Sequence, residues 1–311
     1  MSGVGWRAWL RGSPRPEPVA RELFDEAFQR RLEYLAVASR RLFAGSLQAE
    51  RRTRVAGSGV TFAEHRAYAP GDDLRTLDWN VFARTERLLV KRFEEDEDLT
   101  VAIVLDVSGS MAFGDGARFD HARRLAAAMA YVALANLDRA ALFAVGDRVV
   151  ARLPPARGRG QIFKVLSFLR GLDAGGRTDL AAAVRTLGAE LPRRGVAVVI
   201  SDLYDPEGFE RGLDALRWQR FEVMAVHVSD ARDADVPARG DVRLVDSETD
   251  EGRDVTVTPA VAARFAEAHA SWRRDVAAFC AARRVPCAEA EVHGDFADQV
   301  LGLFRRQGLV A

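Results

Sequence analysis

From residue 99 onward, short continuous apolar runs alternate with stretches whose apolar positions recur at helical spacing. The runs at 100–105, 140–145, 196–200 and 222–228 are unbroken rather than alternating. That pattern marks strands buried on both faces of a parallel sheet. Between them, helices are expected over 119–136, 161–172, 180–191 and 209–217. In the second of these, Ile162, Val165, Leu166 and Leu169 fall at i, i+3, i+4 and i+7. A shorter run at 149–153 reads as an edge strand, and 243–258 as a hairpin turning at 250–252. A long helix over 260–284 carries Val261, Phe265, Ala268, Trp272, Val276 and Phe279 on one stripe. A strand at 287–292 and a helix at 296–307 follow. The alternation predicts an α/β fold: an open, doubly wound, mostly parallel sheet with helices on both faces.

The earlier part of the chain reads differently. Pro14, Pro16 and Pro18 make residues 1–20 a loose tail. Residues 21–47 have helical spacing, and Gly45 is a plausible stop. Turns at Gly57-Ser58-Gly59 and Pro70-Gly71 then frame two short strands, at 61–68 and 88–93. The acidic run 94–98 reads as a solvated connector. Three parts result: a tail (1–20), an N-terminal helix with a small β-rich segment (21–98), and the α/β domain (99–311). Residues 21–98 are too few and too rich in turns to bury a good core alone. They are expected to pack on the larger part through Val60, Phe62, Tyr68, Leu77, Trp79 and Phe82.

Composition narrows the function. Of 311 residues, 48% are apolar and 29% charged, as in soluble globular proteins. Acids and bases balance at 45 each, so no global field favours nucleic acid. The longest apolar run, 125–135, falls short of the roughly 20 residues a membrane span needs. No secretory signal is evident in 1–20. Cys280 and Cys287 are too few for a disulfide framework and lack CxxC spacing. A cytoplasmic location is expected. GxSxG, HExxH and Walker A motifs are absent and the five histidines are scattered, so an enzyme is not expected.

Candidate chemistry gathers at the carboxyl ends of strands, where open α/β sheets bind ligands. Asp106-Val107-Ser108-Gly109-Ser110 directly follows the run 100–105. Gly175-Gly176-Arg177-Thr178-Asp179 opens a helix, and Ser201-Asp202 follows the run 196–200. Together they offer hydroxyls and carboxylates without histidine or thiol. Such a donor set suits a hard cation such as magnesium and not zinc or copper. Each piece alone is also an ordinary turn or helix cap. A second cluster, His65 with Asp72, Asp73 and Asp78, is either a further site or a turn in which Arg75 pairs with Asp78.

The set Asp106-x-Ser108-x-Ser110, Thr178 and Asp202 resembles the metal-ion-dependent adhesion site of von Willebrand factor type A domains. The resemblance runs over about residues 99–311, in the expected order and on the expected elements. Residues 62–79 (Phe-Ala-Glu-His-Arg-Ala-Tyr-Ala-Pro-Gly-Asp-Asp-Leu-Arg-Thr-Leu-Asp-Trp) and 88–94 resemble a bacterial and archaeal family catalogued as domain of unknown function 58. The resemblance implies that Ser108, Ser110 and, in at least one state, Thr178 touch Mg2+ or Mn2+. It implies that Asp106 and Asp202 hold the ion mainly through water. An ion so under-neutralised seeks an Asp or Glu from a partner protein. It also implies an adaptor or chaperone-like partnership with a MoxR-type AAA+ ATPase, whose genes tend to neighbour the family's. Many members carry N-terminal membrane helices; here no span is expected, although a membrane-associated complex stays open. Two other readings remain: a metal-dependent hydrolase using the same strand-end site, and an extracellular adhesin.

Overall fold

The computed structural model describes residues 23–43, 52–56, 61–96, 100–113, 115–187, 195–236 and 239–306. The described residues divide into two compact units, those between 41 and 96 and those between 23 and 40 together with 100 to 306. The first helix, α1 (Glu26–Phe43), buries Phe28, Leu32 and Leu35, which are one stripe of a 3.6-residue period.

The smaller unit holds β1 (Arg52–Ala56), β2 (Thr61–Ala67), α2 (Trp79–Thr85) and β3 (Leu89–Asp96). Its strands form an antiparallel sheet in the order β1-β3-β2. Residues 94–96 therefore belong to a strand, not to a connector. The Asp-rich turn has structural work. Asp72 accepts from Arg66 and from the Ala69 amide. Asp73 caps a short 3-10 turn at Leu74–Thr76. Asp78 caps α2 through the amides of Asn80 and Val81. His65 Nε2 lies 2.9 Å from the Asp78 carboxylate, and that hydrogen bond holds the carboxyl well below its usual range. Asp78 thus pairs with His65 and Lys91, where the sequence suggested Arg75.

Of the expected anchors, Leu77 is buried, but Trp79 is 59% exposed and Phe82 is also exposed. The cap explains this. With Asp78 at the N-cap, Trp79 becomes the first helical residue, and the preceding Leu77 turns inward to bridge Val90. Val60 and the side chain of Phe62 lie outside the described residues. Trp79→Ala is accordingly expected to cost about 1 kcal/mol or less, where a fully buried aromatic costs about 3–5 kcal/mol. Urea unfolding of the variant checks this, and a loss above about 2 kcal/mol would show the indole to be buried after all.

The larger unit is a six-stranded sheet with helices on both faces. Its first stretch holds β4 (Thr100–Asp106), α3 (Ala117–Ala135), β5 (Arg139–Val145), β6 (Val149–Arg157), α4 (Ile162–Arg170) and α5 (Leu180–Leu187). Then come β7 (Gly195–Ser201), α6 (Phe209–Trp218), β8 (Phe221–Ser229), β9 (Gly240–Val245), β10 (Gly252–Val257), α7 (Pro259–Ala282), β11 (Cys287–Glu291) and α8 (Phe296–Arg306). The strand order is β11-β8-β7-β4-β5-β6. All neighbours are parallel except β5 and β6. The expected doubly wound, mostly parallel α/β sheet is therefore what the chain forms. Every residue of β4 and β7 is buried, as their unbroken apolar runs require.

Departures from expectation are local. The strands β9 and β10 form a separate antiparallel pair whose turn occupies residues 246–251, earlier than the Gly252 signal suggested. In α7 only Val276 and Cys280 are buried, and Val261 near its start is exposed. The stripe therefore reaches the core only in the second half of the helix. On the face carrying α3, Phe296 of α8 meets Phe28 of α1 at 5.5 Å and His121 of α3 edge-on at 6.2 Å.

Candidate metal centre

β4 and β7 lie side by side at the middle of the sheet, paired in register from Val101↔Val196 to Leu105↔Ile200. From β4 the sheet grows through β5 on one side, and from β7 through β8 on the other. Their connections leave in opposite directions and open a crevice at the carboxyl ends, the switch point of the sheet. Asp106 ends β4, and Ser201-Asp202 ends β7. The topology alone thus brings together two acids 96 residues apart in sequence.

Four of the five expected residues form one buried network. The Ser108 amide donates to Asp106 Oδ1 at 2.9 Å, and the Ser201 hydroxyl donates to Asp106 Oδ2 at 2.5 Å. The hydroxyls of Ser108 and Ser110 are 3.0 Å apart, and Ser110 donates to Asp202 Oδ1 at 3.1 Å. A hydroxyl whose proton goes to a carboxylate presents its lone pairs elsewhere. Burial, and next the charge of Asp202, push the Asp106 carboxyl up to about 7. Such an excess of buried negative charge is what a bound cation would relieve.

Thr178 is placed at the edge of this network. Its amide donates to Glu248 Oε2 at 2.9 Å and its hydroxyl to Glu248 Oε1 at 2.7 Å. The Gly-rich loop carrying it is fastened to the first loop, with Gly175 N on Val107 O at 2.7 Å and Gly109 N on Gly176 O at 2.9 Å. Gly176 takes φ +83°, which favours glycine.

Two participants were invisible in the sequence pattern. Arg118, in the first turn of α3, is 2% exposed. Its Nη1 donates to Asp202 Oδ2 at 3.0 Å and to the Ser110 carbonyl at 3.2 Å, and its Nη2 pairs with Asp233. Asp233 sits after β8 in a capped 3-10 turn, Ala231–Ala234. Glu248, from the β9–β10 turn, is the second. Nothing in a lone Arg at a helix start, or in a Glu in a hairpin, signals such a role. Ser201 was adjacent to a predicted ligand, but its bond to Asp106 depends on the β4–β7 pairing.

The donors fit a hard divalent cation: serine hydroxyls and carboxylates, with hydroxyl protons already directed to acceptors. Among the described residues, no three His, Cys, Asp or Glu side chains are grouped so as to hold a metal ion. Any ion here therefore relies on the hydroxyls.

Beside the site stands an aromatic group. Tyr204 stacks on Trp272 at 4.3 Å, and the buried His227 of β8 meets Trp272 edge-on at 5.1 Å. Burial lowers His227 from 6.5 to about 4. A histidine kept neutral by the fold loses stability as pH falls, starting near 6.5 and complete below about 4. About 3 kcal/mol of acid destabilisation is expected in that window. His227→Gln should remove that part of the slope in urea unfolding from pH 7 to 4. An unchanged slope would mean that His227 titrates normally.

Fold and strand ends together define a doubly wound, mostly parallel α/β domain with serine hydroxyls and carboxylates gathered at its switch point. The chain belongs to the family described as protein of unknown function DUF58, whose profile matches residues 64–275. An uncharacterized protein of Mycobacterium tuberculosis is 33% identical over 267 residues, 84% of this chain and 84% of its own length. The magnesium-chelatase 60 kDa subunit of Cereibacter sphaeroides is 31% identical over 151 residues, 46% of this chain and 26% of that one. Among solved structures, BatB of Bacteroides thetaiotaomicron is similar with a TM-score of 0.41 at 13% identity, covering 68% of this chain and 98% of that one.

Proposed function

We propose that this protein is a non-enzymatic binding module that holds one Mg2+ or Mn2+ at Asp106, Ser108, Ser110, Thr178 and Asp202. Through that ion it grips an acidic residue of a partner protein. The observation that carries this reading is the buried oxygen network at the switch point, where Asp106 and Asp202 share a chain of serine hydroxyls and Asp202 and Asp233 share Arg118. When bound, the cation supplies a positive centre able to attract a carboxylate. The chain's own part is to hold the donors in place. Asp106 is fixed by Ser108 and Ser201, and Asp202 by Ser110 and Arg118.

As partner we propose a MoxR-type AAA+ ATPase, with this chain as its adaptor. The family resemblance supports this. So does the likeness to a subunit of magnesium chelatase, which by its name is one part of a larger assembly. The test is capture of the purified ATPase by the immobilised full chain. Retention is expected in magnesium, with loss in chelator and with Asp202→Ala. Equal retention in all three would remove the metal from the interaction. Turnover of an ester or peptide that disappears in Asp202→Ala would instead favour the hydrolase.

A further inference from the structure

We propose that Glu248 is the chain's own occupant of the place the partner's carboxylate takes, so that the β9–β10 turn competes with the partner in cis. This rests on the metal-dependent reading above. Both carboxylate oxygens of Glu248 are spent on Thr178, one on its amide and one on the hydroxyl assigned to the metal. The same turn lies against the first loop. A Cβ built on Gly109 would stand 2.5 Å from the Ser247 carbonyl oxygen. The tip therefore crosses both the Ser108–Ser110 loop and the Gly176–Thr178 loop.

The turn is stiff, and its stiffness favours the contact. The Asp246 carboxylate accepts from the amides of Glu248 at 2.9 Å and Thr249 at 2.8 Å, and Asp246 N bonds Glu251 O at 2.9 Å. A group tethered this way acts at a high effective concentration, on the order of millimolar for flexible links and more when preorganised. Charge points the same way. Glu248 is half-buried, and no cation among the described residues pairs with it. A carboxylate in such a place is costly unless a positive charge joins it. A helix cap for α5 would account for the Thr178 amide, but not for the use of its hydroxyl.

The test uses Mn2+ as probe in the full chain and reads the relaxation of its bound water, with acetate as the carboxylate supplied in trans. The wild type, with Glu248 in place, is expected to show low relaxivity and little response to acetate. Glu248→Gln keeps the shape and removes the charge. It should admit water, raise the relaxivity, and let acetate quench that rise at a concentration at least tenfold lower than in the wild type. Asp246→Ala, which unfastens the turn without touching the site, should shift both readings the same way, which guards against a folding artefact in one variant. If Glu248→Gln and Asp246→Ala match the wild type in both readings while Asp106→Ala fails to bind Mn2+, the in-cis ligand is wrong and the metal site stands. If Asp106→Ala binds Mn2+ as the wild type does, or the wild type binds none, the metal reading falls and takes this inference with it.

Discussion

Arg118→Met is expected to destabilise the larger unit by about 3–5 kcal/mol, the range for removing one partner from a buried ion pair. The arginine is 2% exposed and its two Nη atoms serve Asp202, the Ser110 carbonyl and Asp233. Its removal leaves two carboxylates in a site with little water to solvate them. An exposed pair such as Arg211 with Glu207 would contribute about 1 kcal/mol at most. Urea unfolding at pH 7 measures the difference, and a loss under about 1 kcal/mol would show that the guanidinium is not what holds the acids. Adding Asp233→Asn should recover part of the loss, because one stranded charge is gone. Magnesium should also raise the melting temperature of Arg118→Met more than that of the wild type, since an ion near Asp202 would offset the missing charge.

Asp106→Ala should abolish the response to magnesium. A ligand that binds only the folded state stabilises it by about 2.7 kcal/mol at one hundred times its dissociation constant. The wild type is expected to gain on that order at saturating Mg2+ and the variant nothing. Without metal the sign reverses. The Asp106 carboxyl is raised by burial and by Asp202 to about 7, so the fold holds this proton more tightly than the unfolded chain does. That contribution is fully present below about 4 and is lost as pH rises through about 7. At pH 8 in chelator, the metal-free wild type is therefore expected to have lost a stability increment that Asp106→Asn keeps. The magnesium gain should grow over the same interval, because the proton must leave before the ion is held. A pH-independent gain, or an equal gain in Asp106→Ala, would place the ion elsewhere.

The sheet was legible in the sequence because its strands are buried on both faces. Residues 101–105 and 196–200 are unbroken apolar runs, too short for a typical helix and rich in β-branched residues. The placement of Asp106 and Asp202 at neighbouring strand ends was legible for the same reason, since strand ends are where such runs stop. Trp79 was misjudged because size and hydrophobicity say nothing about which residue a cap sends outward. Only Asp78 bonding the amides of Asn80 and Val81 decides that. Arg118 and Glu248 were not legible at all. Each acts on a loop more than 60 residues away, through pairings that exist only once the sheet has closed. The hairpin turn was displaced because Gly252 looks like a turn glycine, whereas Asp246 closes the turn with its side chain.

The strand order has a consequence for the chain as it is made. β4 is the first strand of the sheet to be synthesised, yet it stands at the centre, and its neighbour β7 is encoded 95 residues later, as Val101↔Val196 shows. Contacts of such long separation form slowly, because the loop must close before they reward it. On a ribosome, β4 can pair with β5 early but must keep one hydrogen-bonding edge open until residue 201 has emerged. During that interval a fully apolar strand edge is available to any other extended segment. A nascent chain stalled before Asp202 has neither the second acid nor the closed sheet, and it should depend on chaperones in proportion to the length of the stall.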